Sequence, residues 1–478
     1  MLTLINTNRM TPPIAPVGVD YVAGAVRRAG IDVEVLDLGL AEDPHAAMAQ
    51  HFARHQPQLV GLSLRNVDDC FWPSGASFLP GLCDTVAALR TLTAAPIVLG
   101  GVGFSIFARR VVEQTSADFG IRGDGETSLV ALLQALRAGR GFGRVEGLIW
   151  RDRATIRVNP PAWPARLDVP TERDAVDNAA YFRRGGQIGV ETKRGCCRQC
   201  VYCADPLAKG PAARVREPAE VADEVEALLG QGIDVLHLCD CEFNIPPDHA
   251  RAVCDEFIRR RLRQRVRWYT YMAVTPFDGD LARRMAAAGC VGINFTGDAA
   301  AQAMLTCYGQ PHRPEDLAHA VRLCKEHGMA VMVDLLLGGP GETPQTLSET
   351  IHFVRRLAPD CAGAALGIRV YPNTAMERLV AAEGPWHSNL NLRHHYEGPV
   401  DLLKPTFYIA AALGEHAARL VRKLIDGDPR FFEPADETPG IGTDRQGDHN
   451  YNENRELVEA IASGARGAYW DILRKLRT

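Results

Sequence analysis

The sequence predicts an α/β protein in three parts: a doubly wound parallel sheet, then a barrel of strand–helix units, then a mostly helical region. Three observations carry that expectation. Short apolar runs alternate with amphipathic stretches over residues 1–140. The alternation restarts near residue 187 and repeats six times. Beyond about residue 380, longer amphipathic stretches replace it. Strand–helix alternation is the pattern of a parallel sheet covered by helices. The chain has 478 residues, enough for two to four domains. The expected division is a first domain at 1–140, a connector at 141–186, a barrel at 187–380 and a helical domain at 381–478.

In the first domain the expected strands are Leu2–Asn6, Asp32–Leu36, Leu59–Leu64, Pro96–Leu99 and Ala117–Arg122. Amphipathic segments such as Val19–Ala29 and Gly81–Thr91 lie between them. Doubly wound sheets bind ligands at the carboxyl ends of their strands, where strand order reverses. The residues expected there are Ser63-Leu64-Arg65-Asn66, Gly100-Gly101-Val102-Gly103 and Arg122-Gly123-Asp124-Gly125-Glu126. Glycine at such tips lets a large flat ligand approach the backbone. Each turn alone is equally a tight strand-to-helix connection. Residues 141–186 are rich in Arg, Pro and Gly and are expected to lie over the surface, with a hairpin near Leu148–Arg157.

The barrel strands are expected at Gln187–Thr192, Val235–Cys239, Arg267–Tyr271, Gly292–Thr296, Val331–Leu337 and Ala365–Tyr371. Helical patterns such as Ala219–Leu229 and Leu317–Glu326 separate them. In α/β barrels function collects at the carboxyl ends of the strands. In the last hundred residues, Phe407–Ile425 reads as one long amphipathic helix and Leu457–Leu476 as one or two more. The polar Asp436–Asn454 between them is expected to be a solvated connector, with a lid over a substrate as the functional alternative.

The most specific signal follows the first barrel strand. Gly195-Cys196-Cys197-Arg198-Gln199-Cys200-Val201-Tyr202-Cys203 is a Cys-x3-Cys-x2-Cys run. Three thiolates this close can converge on one iron–sulfur cluster. Three ligands for a four-iron cube leave one iron open to a small chelating molecule. A zinc knuckle would usually show paired Cys-x2-Cys or a following His, and none follows closely. Cys197 also permits a Cys-x2-Cys ligation with Cys200. Cys254, Cys290, Cys324 and Cys361 fall in apolar runs and read as core residues.

Bulk properties narrow the class. Thirteen cysteines, an odd count, with no signal-peptide pattern at the N-terminus, suggest reduced thiols and a cytoplasmic protein. The formal net charge of −5 speaks against nucleic-acid binding. No apolar run approaches the roughly 20 residues that span a bilayer.

The cysteine run, with Tyr202 before its last Cys, resembles the signature of the radical S-adenosylmethionine (SAM) superfamily. The first domain is similar to the cobalamin-binding domain fused to many of those enzymes. It carries Pro12-Pro13 with Pro16-Val17-Gly18, then Val60-Gly61-Leu62-Ser63, Gly100-Gly101 and Arg122-Gly123-Asp124-Gly125-Glu126, in the family's order. The resemblance implies a Rossmann-like cobalamin domain and a partial (β/α)6 radical SAM barrel. It implies a 4Fe-4S cluster on Cys196, Cys200 and Cys203, with SAM and cobalamin as the other cofactors.

For SAM it implies contacts from Tyr202, Glu242, Asp298, Gly339, Glu342 and Tyr371. Asp298 stands where the family commonly has Glu. The segment around Gly339 and Glu342 has Leu335 in place of the family's first Gly. Asn373 replaces the Gly of a "YPGT" pattern. For cobalamin it implies Arg65, Asn66, Gly100, Gly101, Gly123, Gly125 and Glu126. The Asp-x-His-x-x-Gly motif that supplies a lower cobalt ligand elsewhere is missing, and His45 is only a partial echo. Arg65 is the candidate for the group beneath the cobalt. It stays protonated and donates no lone pair.

The activity implied is C-methylation of an unactivated carbon of a small molecule, using a 5′-deoxyadenosyl radical and methylcobalamin, with an external one-electron reductant of flavodoxin or ferredoxin type. Radical rearrangement or cyclisation with the same cofactors, aminocarboxypropyl transfer from SAM, and a non-catalytic iron–sulfur redox sensor are the rivals.

Overall fold

The computed structural model describes residues 1–153, 155–435 and 451–477. The first sheet is built from β1 (Leu2–Asn6), β2 (Val33–Asp37), β3 (Leu59–Ser63), β4 (Ile97–Gly100), β5 (Phe119–Ile121), β6 (Leu148–Asp152) and β7 (Thr155–Val158). Their spatial order is β2-β1-β3-β4-β5-β6-β7, with the first five parallel and the last two antiparallel. Order 2-1-3-4-5 puts the reversal between β1 and β3, where such sheets open a crevice at their carboxyl ends. All five residues of β1 are buried, as expected of a central parallel strand covered on both faces.

Twelve more strands follow: β8 (Ile188–Val190), β9 (Lys193–Arg194), β10 (Arg214–Val215), β11 (Val235–Leu238), β12 (Arg267–Ala273), β13 (Cys290–Asp298), β14 (Ala330–Leu337), β15 (Cys361–Leu366), β16 (Ile368–Arg369), β17 (Leu392–His394), β18 (Thr406–Tyr408) and β19 (Phe431–Phe432). The second sheet runs β8-β11-β12-β13-β14-β15-β19, all parallel. Among the described residues β8 and β19 do not pair, so the sheet is an open, partial barrel of six strand–helix units with one added edge strand.

Three expectations are corrected. Residues 141–186 do not only lie over the surface, because the hairpin β6–β7 extends the first sheet from β5. The sixth barrel strand is Cys361–Leu366 and not Ala365–Tyr371. Its Cys-Ala-Gly-Ala-Ala-Leu sequence lacks the β-branched residues that mark a strand. Gly367, at φ +94°, ends it, and Ile368–Arg369 turns into a small antiparallel sheet with β18 and β17. Finally, Phe407–Ile425 is not one helix. It begins in β18, passes a short 3-10 turn, and becomes helical only at Ala417–Ile425, after Gly414 at φ +79°. The segment Leu457–Leu476 lies in two helices, Arg455–Ala462 and Tyr469–Leu476, interrupted by Gly464 and Gly467 with positive φ. Of the polar stretch Asp436–Asn454, residues 436–450 lie outside the described residues.

The two sheets are locked together by buried charge. Arg173 bridges Asp20 at 2.7 Å on the first domain's first helix and Glu224 at 2.5 Å on a barrel helix. Glu224 also takes Arg216 at 2.5 Å and the Tyr21 hydroxyl at 2.8 Å. Every carboxylate here has a cation and a further donor, which buried ions need.

Candidate active site

The cysteine loop leaves β9 through Gly195, at φ +94°. A Cβ there would sit 2.2 Å from the Ala212 carbonyl oxygen, so only glycine fits. The Cys196 amide donates to the Gly210 carbonyl at 3.1 Å, and the Cys203 amide to that of Cys200 at 3.1 Å. Val201 is pinned from both sides. Its amide donates to the Tyr308 carbonyl at 3.1 Å, and its own carbonyl accepts from Met376 at 2.8 Å. Cys196 is buried, Cys200 and Cys203 are half-buried, and Cys197 is exposed.

Acidic groups surround the loop. The Tyr202 hydroxyl donates to Asp298 at 2.6 Å, and Gln310 donates to the same oxygen at 2.5 Å and to the Cys200 sulfur at 3.4 Å. Asp298 holds a left-handed backbone at φ +55°, the conformation that brings it under Tyr202. Thr296 donates to one oxygen of Glu242 at 2.9 Å. The other oxygen of Glu242 is buried without a hydrogen-bond partner among the described residues. Burial, with Asp298 adding to it, pushes Glu242 up to about 8. Burial pushes Asp298 up to about 6. Cys200 rises to about 12 by burial, then by Asp298 and Glu242. Cys196 and Cys203 are also raised, burial first.

Thiols and carboxyls whose burial disfavours their charged forms fit a cationic occupant. Iron would draw off the thiol protons, and the ammonium and sulfonium of SAM would meet the carboxylates. Among the described residues no three His, Cys, Asp or Glu side chains converge tightly enough to hold a single metal ion. A cube spreads its thiolates over separate irons, whereas one zinc needs them all within about 2.3 Å.

Not every expected SAM residue joins this group. Gly339 lies against Tyr308, and a Cβ there would meet its hydroxyl at 2.2 Å. Glu342 turns back on its own turn to accept from the Gly338 amide, and burial pushes it up to about 7. Tyr371 packs toward the first domain, its hydroxyl 3.0 Å from the Cys70 sulfur and its ring 6.1 Å from Phe107.

Between the two sheets lies a cavity of about 640 Å³, within the usual range of cofactor sites. Arg65, Asn66, Gly100, Gly101, Gly123, Gly125 and Glu126 all line it. Gly101, at φ +105°, would put a Cβ 2.5 Å from the Leu64 carbonyl oxygen, so the tips of β3 and β4 nest tightly and leave room above. Arg65 reaches into the cavity with its Nη1 3.8 Å from the Met10 sulfur and no carboxylate partner among the described residues. An open cavity at the β1/β3 reversal, bordered by the glycine tips of β4 and β5, fits a flat macrocycle.

The last turn is more than a cradle. Glu126 accepts from Arg194 at 3.0 Å, and Asp124 accepts from Arg194 at 3.0 Å and from Arg214. Arg194 also donates to Glu191 at 2.7 Å. This clasp ties the first domain to the residue before Gly195. Sequence reasoning missed Arg194, although a charged residue between a buried strand and a cysteine loop is a usable signal. It also missed His237 and Tyr271, which face the cavity from β11 and β12, and Tyr451, Tyr469 and Trp470, which reach it from the C-terminal region. Cys239 is also on the cavity wall.

Fold and site together describe an enzyme with a cysteine loop fit for a cluster beside a cavity fit for a flat macrocycle. Similarity to known proteins agrees. Residues 190–354 match the radical SAM superfamily and residues 5–133 the B12 binding domain. The chain is 29% identical to the tryptophan 2-C-methyltransferase of Streptomyces laurentii, over 98% of this chain and 95% of that protein. It also matches the radical S-adenosylmethionine methyltransferase TsrM from Kitasatospora setae, solved with tryptophan and a SAM analog. That match has 31% identity and TM-score 0.91, over 99% of this chain and 97% of that one. A second structure of TsrM, with cobalamin and a 4Fe-4S cluster, matches at 29% identity and TM-score 0.89 over the same shares. The chain belongs to the cobalamin-binding radical SAM enzymes.

Proposed function

We propose that this protein is a cobalamin-dependent radical SAM C-methyltransferase acting on a small molecule. The observation that carries the proposal is the cavity, which lies between the glycine tips of β4 and β5 and barrel residues next to the cysteine loop, Arg194 among them. When bound, the cluster supplies an electron and a chelating iron to SAM, and the corrinoid supplies a methyl carrier.

The chain's residues then have these roles. Cys196, Cys200 and Cys203 hold the cluster on a loop that Gly195 shapes. The free oxygen of Glu242 receives the ammonium of SAM. Asp298, held by Tyr202 and Gln310, faces the ribose side. Gly100, Gly101, Gly123 and Gly125 would let a corrinoid lie against the backbone, and Arg65, which stays protonated, would face it without donating a lone pair. Gly339 and Glu342 shape the turn after β14. Glu126 acts through Arg194, as a brace.

An external one-electron reductant of flavodoxin or ferredoxin type completes the system. Among the described residues no helix is long and apolar enough to cross a membrane.

The test is product mass from protein loaded with both cofactors, compared with cobalamin-free protein. A product heavier by one methylene, formed only with cobalamin, supports the proposal. A product with no added carbon favours rearrangement or cyclisation, and methylthioadenosine release favours aminocarboxypropyl transfer. The ratio of 5′-deoxyadenosine to methylated product reports whether hydrogen abstraction accompanies the transfer.

A further inference from the structure

The three cysteines of the loop do not share one kind of hydrogen bond. The Cys196 sulfur accepts from the Arg198 amide and the Cys203 sulfur from the Asp205 amide, each two residues along the same loop. The Cys200 sulfur accepts from a side chain, Gln310, whose Nε2 lies 3.4 Å away and 110 residues distant in sequence. A backbone amide is present whatever the side chains are. Gln310 is therefore a donor that the sequence can set.

The fold aims it. Helix Gln302–Tyr308 ends against the cysteine loop, its Tyr308 carbonyl accepting from the Val201 amide at 3.1 Å. Gly309, at φ +75°, then reverses the chain, and the Gln310 amide returns to the Leu305 carbonyl at 2.9 Å. A Cβ on Gly309 would lie 3.2 Å from the Gln199 carbonyl oxygen, so this turn packs on the residue before Cys200. The Gln310 side chain is half-buried. Its Nε2 also donates to Asp298 at 2.5 Å and lies 3.3 Å from the Tyr202 hydroxyl. The Asp298 carboxyl and the Cys200 sulfur are both acceptors. They fix the orientation of the amide, because the flipped form would set its carbonyl oxygen against both.

A reduced cluster carries one more negative charge than an oxidised one. An N–H aimed at a cluster thiolate stabilises the reduced form more, and so shifts the potential upward. We propose that Gln310 tunes the cluster, its side-chain amide donating to the Cys200 thiolate and raising the reduction potential of the centre. Gln310 acts through Cys200 and is a positioning residue. The proposal rests on the cluster reading of Cys196, Cys200 and Cys203, and adds a residue that sets how readily the centre accepts its electron.

The experiment is an anaerobic titration with dithionite and mediator dyes, followed by the EPR signal of the reduced cluster, on protein loaded with cluster and cobalamin. Gln310→Met keeps the length of the side chain and removes the N–H. At one fixed applied potential its ratio of reduced to oxidised cluster should fall about tenfold, which for one electron is a drop of about 59 mV. A merely structural defect would give the other sign. A loosened loop lets water reach the cluster, and water favours the more charged, reduced form.

A fall of that size supports the proposal. An unchanged or raised potential in Gln310→Met, at wild-type iron content, overturns the role of Gln310 and leaves the cluster reading standing. A wild type that holds no four-iron cluster overturns both. If Gln310→Met does not fold or does not hold its cluster, Gln310→Asn decides, since it keeps an amide but draws it back from the sulfur by one methylene. A lowered potential in that variant supports the proposal, and an unchanged or raised one refutes it.

Discussion

Arg194→Met removes the guanidinium that ties the first domain to the cysteine loop while keeping the length of the side chain. Arg194 is 10% exposed and donates to Glu191 at 2.7 Å, Glu126 at 3.0 Å and Asp124 at 3.0 Å. Asp124 keeps Arg214, but Glu126 and Glu191 lose the one cation each has among the described residues. Removing one partner of a buried ion pair costs ~3–5 kcal/mol, because the other charge stays buried. The two orphaned carboxylates lie at 8% and 17% exposure, so the upper part of that range is expected. The assay is denaturant unfolding of cofactor-free protein, wild type against variant. Arg194→Lys restores charge without the fork and should recover only part of the loss. A loss under about 1 kcal/mol would refute the clasp as a structural tie.

Other outcomes follow from the same geometry. Glu342 is raised from 4.5 to about 7. The folded state thus binds the extra proton, and stability falls as pH rises from about 4.5 through about 7, by about 3 kcal/mol in all. Glu342→Gln should flatten that part of the pH profile of cofactor-free protein, and an unchanged slope contradicts the assignment. Gly195→Ala, with its Cβ 2.2 Å from the Ala212 carbonyl oxygen, should lose most bound iron while keeping its corrinoid, as metal analysis and the visible spectrum will tell. If Arg65 faces the metal as proposed, the EPR spectrum of the bound Co(II) corrinoid should lack nitrogen hyperfine splitting from a lower ligand. Splitting would place an imidazole or other nitrogen donor there.

The parts legible in the sequence are those whose burial leaves a periodic trace. β1, β3 and β4 are apolar runs because helices cover both faces of the first sheet, and the tips of β4 and β5 carry the glycines. β15 left no such trace, since its small residues pack without branching. β6 and β7 look like a surface hairpin because most of their side chains are exposed, although their backbones complete a sheet. The cysteine run identified itself by spacing. The use made of Glu126, Gly339 and Tyr371 could not be read, because each is engaged by a residue distant in sequence: Arg194, Tyr308 and Cys70. Glu342 is engaged within its own turn, by the Gly338 amide, where the resemblance pointed elsewhere. The aromatic wall of the cavity was hidden for another reason. It joins β12 to residues near 451 and 470, and nothing in the pattern says that the end of the chain returns to the barrel.

The most direct test of the account follows a labelled methyl group. Protein prepared without oxygen, with both cofactors bound, is given SAM carrying a labelled methyl. The account predicts the label on the bound corrinoid, with S-adenosylhomocysteine released in equal amount, and then in a product one methylene heavier than the substrate. SAM consumption that leaves the corrinoid unlabelled, or a protein that binds the cluster but no corrinoid, would contradict it.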